Sequence, residues 1–200
     1  MSGANKPECD LAALKAATRK AAFARRKEAH VSQPDAPEQA AQQFLTHIDP
    51  SASTVIAGYR PIRTELDPTP LMVRLHHQGH RLAVPVIEAA GAPLAFREWS
   101  PETEMTTGAF GAEIPAAGAW LEPDLLIVPL VAWDRSGGRL GYGGGFYDRT
   151  LERLRSRHPT RAIAFAYAAQ EVPAVPLEPT DQRLDAICTE VGFTRVPANA

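Results

Sequence analysis

The residues best suited to chemistry are concentrated in positions 137–149, GGRLGYGGGFYDR, where six glycines surround Arg139, Tyr142, Phe146, Tyr147 and Asp148. Glycines let a backbone approach phosphate oxygens that side chains would hold away. Arg139 offers a planar fork suited to phosphate, and Asp148 a hard oxygen ligand for Mg²⁺ beside it. Phe146 and Tyr147 offer flat faces on which a ring can stack. Together they point to a nucleotide and a second, planar substrate. A surface hairpin with glycine-rich turns is the competing reading, and it leaves the aromatics unexplained. Two phosphate motifs are excluded. A Walker loop needs a lysine that the segment lacks, and a dinucleotide fingerprint needs glycine where, counting from Gly141, Phe146 stands.

The missing cation has a narrow range of sources. All four lysines, Lys6, Lys15, Lys20 and Lys27, lie in the first 27 residues, so a phosphate-binding lysine must come from the amino-terminal helix. Lys15, Arg19 and Arg26 fall within about 40° of one another on a helical wheel and form one basic stripe. Such a stripe is most often a solvated face. His76 and His80 stand at i, i+4 with His77 between them. No H-E-x-x-H pattern and no third ligand accompany them, so a zinc reading is not supported. Cys9 and Cys188 are too few for a disulfide framework, and Cys188 reads as a small core hydrophobe.

The elements that must position these residues alternate along the chain. Asp10 is placed to cap a helix over residues 11–30, SQPDAP breaks it, and PEQAAQQFLTHI forms a second helix. STVIAGY reads as a buried strand and TPLMVRLHHQ as a helix, followed by the strands RLAVPVIEA and APLAFREW. Residues 101–120 read as loop, and DLLIVPLVAW (124–133) as one strand covered on both faces. A helix through Tyr147, Leu151, Leu154 and His158 follows the glycines, then the strand RAIAFAYA, a proline-rich loop and a final strand in DQRLDAICTE. The pattern predicts an α/β fold, a mostly parallel sheet in a three-layer α/β/α arrangement. The glycine segment lies after the most buried strand and before a helix, where open α/β sheets bind ligands.

Two hundred residues, 44% of them hydrophobic, suit one domain spanning 1–200, with residues 1–9 and 196–200 as flexible ends. A formal net charge of −2 gives no reason to expect nucleic acid or an acidic membrane as partner. MSGANKPECD lacks the apolar run of a secretory signal, which favours a cytoplasmic protein.

PDLLIVPLVAWDRSGGRLGYGGGFYDRTL closely resembles the signature of the 5-formyltetrahydrofolate cyclo-ligase family, also called methenyltetrahydrofolate synthetase. KAATR, GYRPIRTELDP and DQRLDAICTE extend the resemblance over nearly the whole chain. It implies conversion of 5-formyltetrahydrofolate to 5,10-methenyltetrahydrofolate with ATP and Mg²⁺, and an outline similar to sugar-phosphate isomerase and CoA-transferase-like folds. By position, the resemblance assigns Lys15 and Arg19 to ATP phosphates, and Arg139, Leu140, Gly141, Tyr142, Gly143, Gly144, Gly145, Phe146 and Tyr147 to the ATP loop. Tyr142 through Phe146 would also border the folate, Glu65 would bind its pterin, and Asp148 and Asp181 would serve the metal. Asp181 has an alternative as a turn cap, and Glu65 as a partner for the next helix's positive end. Trp99, Trp120 and Trp133 read as core, with Trp99 or Trp120 as a possible edge of the folate pocket.

Some family members carry R-G-K-G where this chain has Tyr142-Gly143-Gly144-Gly145, and Arg149 or Arg135 are the candidates to replace that cation. The partners implied are small molecules acting on a monomer or weak homodimer. A related enzyme for another N-formyl or pterin-like compound is one alternative; a non-catalytic ligand-binding domain on the same scaffold is the other. Six glycines also predict a loop that is mobile when empty.

Overall fold

The computed structural model describes residues 6–197. Its centre is a seven-stranded sheet in the order β11-β10-β9-β6-β1-β2-β3. The five inner strands run parallel: β1 (Val55–Ala57), β2 (Arg81–Val86), β6 (Leu125–Val128), β9 (Arg161–Phe165) and β10 (Ala186–Thr189). The edges β3 (Ala95–Trp99) and β11 (Gly192–Arg195) are antiparallel.

Alternation along the inner strands builds two cores. Ile56, Leu82, Leu125, Ile163 and Cys188 face α2 (Ala36–His47) and α3 (Thr69–His77). Ala57, Ala83, Leu126, Ala164 and Ile187 face α4 (Phe146–Arg155) through Leu151 and Leu154. Strands apolar on both faces are what a covered parallel sheet requires. The result is the three-layer, mostly parallel α/β/α arrangement that the sequence implies. A third cluster forms where Ala22 of α1 (Lys6–Ser32) meets Val131, Ala132 and Leu140.

Five expectations need correction. α1 begins at Lys6, so Asp10 lies within the helix rather than capping it, and the helix enters the stretch read as a flexible end; residues 1–5 and 198–200 lie outside the described residues. The apolar run 124–133 is two strands. β6 stops before Pro129, which has no N–H to continue a ladder, and β7 (Ala132–Trp133) turns away to pair with β8 (Arg139–Leu140). Within residues 101–120, read as loop, β4 (Met105–Thr107) pairs with β5 (Glu113–Pro115), joined through the 3₁₀ turn Ala109–Gly111. The terminal strand is a hairpin, with β11 returning along β10. His158 falls beyond the end of α4 at Arg155.

The topology fixes where a ligand can sit. From β1 the chain moves outward to β2 on one side, and β6 begins the run to β9 and β10 on the other. The strand order therefore reverses between β1 and β6, and the loops leaving their carboxyl ends diverge around a crevice, the usual binding place in open α/β sheets.

Candidate active site

A cleft of about 660 Å³ opens at that switch point. Its walls come from α1, the loop after β1, the β4–β5 hairpin, the glycine segment and the 178–181 turn. All fourteen residues singled out from the sequence line it, from Lys15 and Arg19 through Glu65 and residues 139–148 to Asp181.

The glycine segment is anchored by Asp134, which ends the β7 run. Asp134 Oδ1 accepts hydrogen bonds from the Ser136 and Gly138 amides (2.9 and 3.0 Å) and the Ser136 hydroxyl (2.6 Å); Oδ2 accepts from the Val175 amide (2.7 Å). Burial pushes this carboxyl up, but those bonds outweigh it and hold it below the usual aspartate range. A Cβ on Gly138 would stand 2.5 Å from Asp134 Oδ2, so glycine is required there. At the other end Gly145 caps α4 with a left-handed φ of 63°. It delivers the first turn of α4, with its free N–H groups, to the cleft.

Basic groups cluster on one side. Lys15 Nζ donates to Glu178 Oε2 and Asp181 Oδ2, each at 2.9 Å. Burial pushes the ammonium's pKa down, yet the two carboxylates outweigh it and hold it above the usual lysine value. Arg19 Nε donates to the Gly141 carbonyl (2.9 Å), and Arg139 Nη2 to Asp148 Oδ1 (2.7 Å). The buried Arg139 Nε has no partner among the described residues. The stripe on α1 is thus not a solvated face: Lys15 and Arg19 line the cleft, and Arg26 is buried at 1% exposure. Of the two candidate replacement cations, Arg149 lines the cleft and donates to the Gly144 carbonyl (2.6 Å) over the Phe146 ring. Arg135 instead pairs with Glu171 on the surface (2.7 Å).

The two metal candidates are neighbours through the backbone, since Asp148 Oδ1 also accepts from the Gln182 amide (3.1 Å), next in chain to Asp181. Asp181 Oδ2 is engaged by Lys15 and by the Glu178 amide (2.7 Å), so Asp181 does cap a turn while facing the cleft. Two carboxylates do not form a complete cage, and among the described residues no group of three or more His, Cys, Asp or Glu could hold a metal. They fit Mg²⁺ that takes its other ligands from phosphates and water, the ion's common arrangement at nucleotides.

Glu65 lies deeper, in the loop after β1. Arg63 adopts a left-handed φ of 57°, rare for a side chain other than glycine or asparagine, and closes a turn in which the Glu65 amide donates to the Ile62 carbonyl (3.3 Å). In return Glu65 Oε2 accepts from the Ile62 amide (2.9 Å). Its partner is therefore this turn, and the alternative of serving the α3 terminus is not what the structure has. Burial raises its pKa, opposed by the Ile62 amide and the positive charge of Arg26. Burial likewise raises the pKa of the Tyr147 phenol.

The sequence reading missed several walls. Tyr59, Arg60, Ile114 and Glu178 line the cleft. Glu178 carried a signal, three residues before Asp181 in the same turn; the short hairpin carrying Ile114 had none. Trp99 and Trp133 are buried, while Trp120 is half-exposed beneath the Arg97 guanidinium, 4.8 Å from its ring centre, and none of the three borders the cleft.

Comparison with known proteins agrees with this arrangement. A family model described as the 5-formyltetrahydrofolate cyclo-ligase family matches residues 12–190. The chain is 33% identical over 158 residues to the 5-formyltetrahydrofolate cyclo-ligase of Escherichia coli K12, covering 76% of this chain and 86% of that one. To the enzyme of the same name from Mycolicibacterium smegmatis it is 34% identical over 161 residues, covering 76% and 80%. The solution structure of Aquifex aeolicus 5,10-methenyltetrahydrofolate synthetase superposes with a TM-score of 0.75 at 27% identity, covering 94% of this chain and 95% of that one. With a family model spanning most of its length and its signature loop set at the switch point of the matching fold, this chain belongs to the 5-formyltetrahydrofolate cyclo-ligase family.

Proposed function

We propose that the chain acts as a single-domain cyclo-ligase, converting 5-formyltetrahydrofolate to 5,10-methenyltetrahydrofolate with release of ADP and phosphate. The observation that carries the reading is the convergence of all fourteen sequence-derived residues on one cleft. Family membership implies a nucleotide co-substrate; its assignment as ATP with Mg²⁺ is part of this proposal. The substrate's formyl oxygen attacks the γ-phosphate and displaces ADP; the 10-nitrogen then attacks the phosphorylated imidate carbon, gives its proton to solvent, and expels phosphate as the ring closes. A formamide oxygen is a very poor leaving group, and its phosphorylation removes that barrier.

No protein nucleophile is needed, so positioning and charge neutralisation are the protein's task. Lys15, Arg19 and Arg139 hold the phosphates, with Arg149 as the cation of the glycine loop and the α4 N-terminus as a further donor surface. Asp148 and Asp181 would hold Mg²⁺, which supplies further neutralisation of phosphate charge. Glu65 accepts two N–H bonds from the pterin's guanidine-like edge, and Tyr142 to Phe146 form the wall between nucleotide and folate.

The test is absorbance at the methenyl product's near-ultraviolet band, with protein, 5-formyltetrahydrofolate, ATP and Mg²⁺. A rise that requires ATP and is slowed at least about 100-fold by Asp148→Asn is expected, the scale of losing a principal charge-stabilising group. A flat trace from folded protein refutes the reading.

A further inference from the structure

Arg26 belongs to the α1 stripe but is not one of the residues that line the cleft, and it is among the most buried side chains of the molecule at 1% exposure. Its three hydrogen bonds all end on uncharged oxygens. Nε donates to Thr64 Oγ1 (3.1 Å), Nη1 to the Leu130 carbonyl (3.3 Å) and Nη2 to the Tyr142 hydroxyl (2.7 Å). Its guanidinium carbon lies 5.1 Å from the Phe23 ring centre and 5.4 Å from that of Tyr142, and those rings stand 5.4 Å apart. The charge that faces it is the buried Glu65 carboxyl, on which Arg26 acts through space without a direct hydrogen bond, so the guanidinium's donors are left to tie neutral groups together.

The three acceptors sit on the three segments that diverge at the switch point. Thr64 is in the turn that presents Glu65, Leu130 follows β6, and Tyr142 stands between Gly141 and Gly143 in the loop. Flanking glycines do not fix Tyr142; its ring packs on Phe23, and its hydroxyl is held by Arg26 beside the Glu65 carboxyl. A planar guanidinium has donors diverging in three directions at fixed angles; an ammonium on a flexible stem cannot reproduce that fork.

We infer that Arg26 is a positioning residue that holds the Glu65 turn and Tyr142 in register as one folate-facing wall, beneath the cleft and without touching substrate. The inference rests on the cyclo-ligase reading for its kinetic consequence but not for its structural one. The arginine acts on the folate end, whereas Lys15 and Arg19 serve the phosphates from the same helix.

The experiment compares Arg26→Lys, Tyr142→Phe and the double variant. Arg26→Lys is expected to raise the KM for 5-formyltetrahydrofolate at least about tenfold, about 1.4 kcal/mol, with the KM for ATP changed less than about twofold. Tyr142→Phe gives part of the same rise, and the double variant is no worse than Arg26→Lys, since both remove one shared bond. In ligand-free protein, the Glu65 amide exchanges at least about tenfold faster in Arg26→Lys than in wild type, while amides of β1 and β6 keep their protection. Equal rises in both KM values, additive effects in the double variant, or unchanged Glu65 exchange each overturn the inference. If Arg26→Lys does not fold, Tyr142→Phe decides, because an unchanged folate KM there overturns it as well. Should wild-type protein form no methenyl product, the cyclo-ligase reading fails alone, and Glu65 exchange still decides the role of Arg26.

Discussion

At the scale of single residues, Glu65 shows a group held against its own preference. Burial disfavours its ionised form, yet the proposed contact with the pterin edge calls for a carboxylate that accepts two N–H bonds. A carboxyl whose pKa is raised by folding adds stability below its ordinary value, and that stability is lost as pH rises through the folded value. Glu65→Gln removes this burden. We expect the variant to melt at the same or a higher temperature than wild type at pH 7. Its folate KM should rise about 10- to 100-fold, the range of about 1.5–3 kcal/mol for a charged hydrogen bond. Thermal melts and steady-state kinetics on one preparation check both, and a lower melting temperature with unchanged KM contradicts the assignment. The residue identities behind this were legible in GYRPIRTELDP, but the burial that shifts Glu65 and the turn at Arg63 were not, because both depend on what packs around the loop.

At the scale of elements, the glycine segment is contacted mainly by side chains outside its own five-residue centre. Asp134 fixes its entry with four hydrogen bonds, and Arg19, Arg26 and Arg149 hold its middle. Asp134→Ala leaves the Gly138 and Val175 amides without an acceptor, so a loss of about 2–4 kcal/mol is expected in urea unfolding at pH 7. The folded pKa of Asp134 is depressed, so its contribution is present above the ordinary aspartate value and fades as pH falls through the lower, folded value. The stability gap between wild type and Asp134→Ala must therefore narrow toward pH 3; a constant gap shows that the carboxylate's charge is not what anchors the turn. α4 was readable from the spacing of Tyr147, Leu151 and Leu154, and α1 from its alanine-rich composition. The division of residues 124–133 into β6 and β7 had one signal, Pro129, which cannot donate to a ladder; that the chain then turns away to pair with β8 was not readable, because it depends on a distant partner strand.

Across the whole molecule, the α/β/α layers support the cleft, and Cys188 reports on the core between the sheet and α2. The thiol is fully buried in β10 against α2, donates to the Ala40 carbonyl (3.3 Å), and is pushed by burial up to about 12. Modification by a soluble disulfide reagent at pH 8 therefore requires the core to open. In a Cys9→Ser background the labelling rate of Cys188 should track global unfolding, and MgATP with folate should slow it in proportion to the stability they add by binding. Rapid labelling of the native protein places the sheet in a looser state than this structure.

The chain's own order of residues was enough to suggest the proposed chemistry: a loop suited to phosphate, aromatics suited to a planar ring, carboxylates suited to a metal, and the first helix as the one source of any phosphate-binding lysine. Those properties belong to residue types and short spacings, which need no neighbours to be read. Their convergence could not be read in the same way. Lys15 meets Glu178 and Asp181 across 163 and 166 positions, and Arg26 meets Tyr142 across 116. Such meetings exist only because the strand order reverses between β1 and β6, bringing distant loops to one crevice. Whether a basic stripe faces solvent or a ligand is a matter of what packs against it, and local sequence carries no record of that.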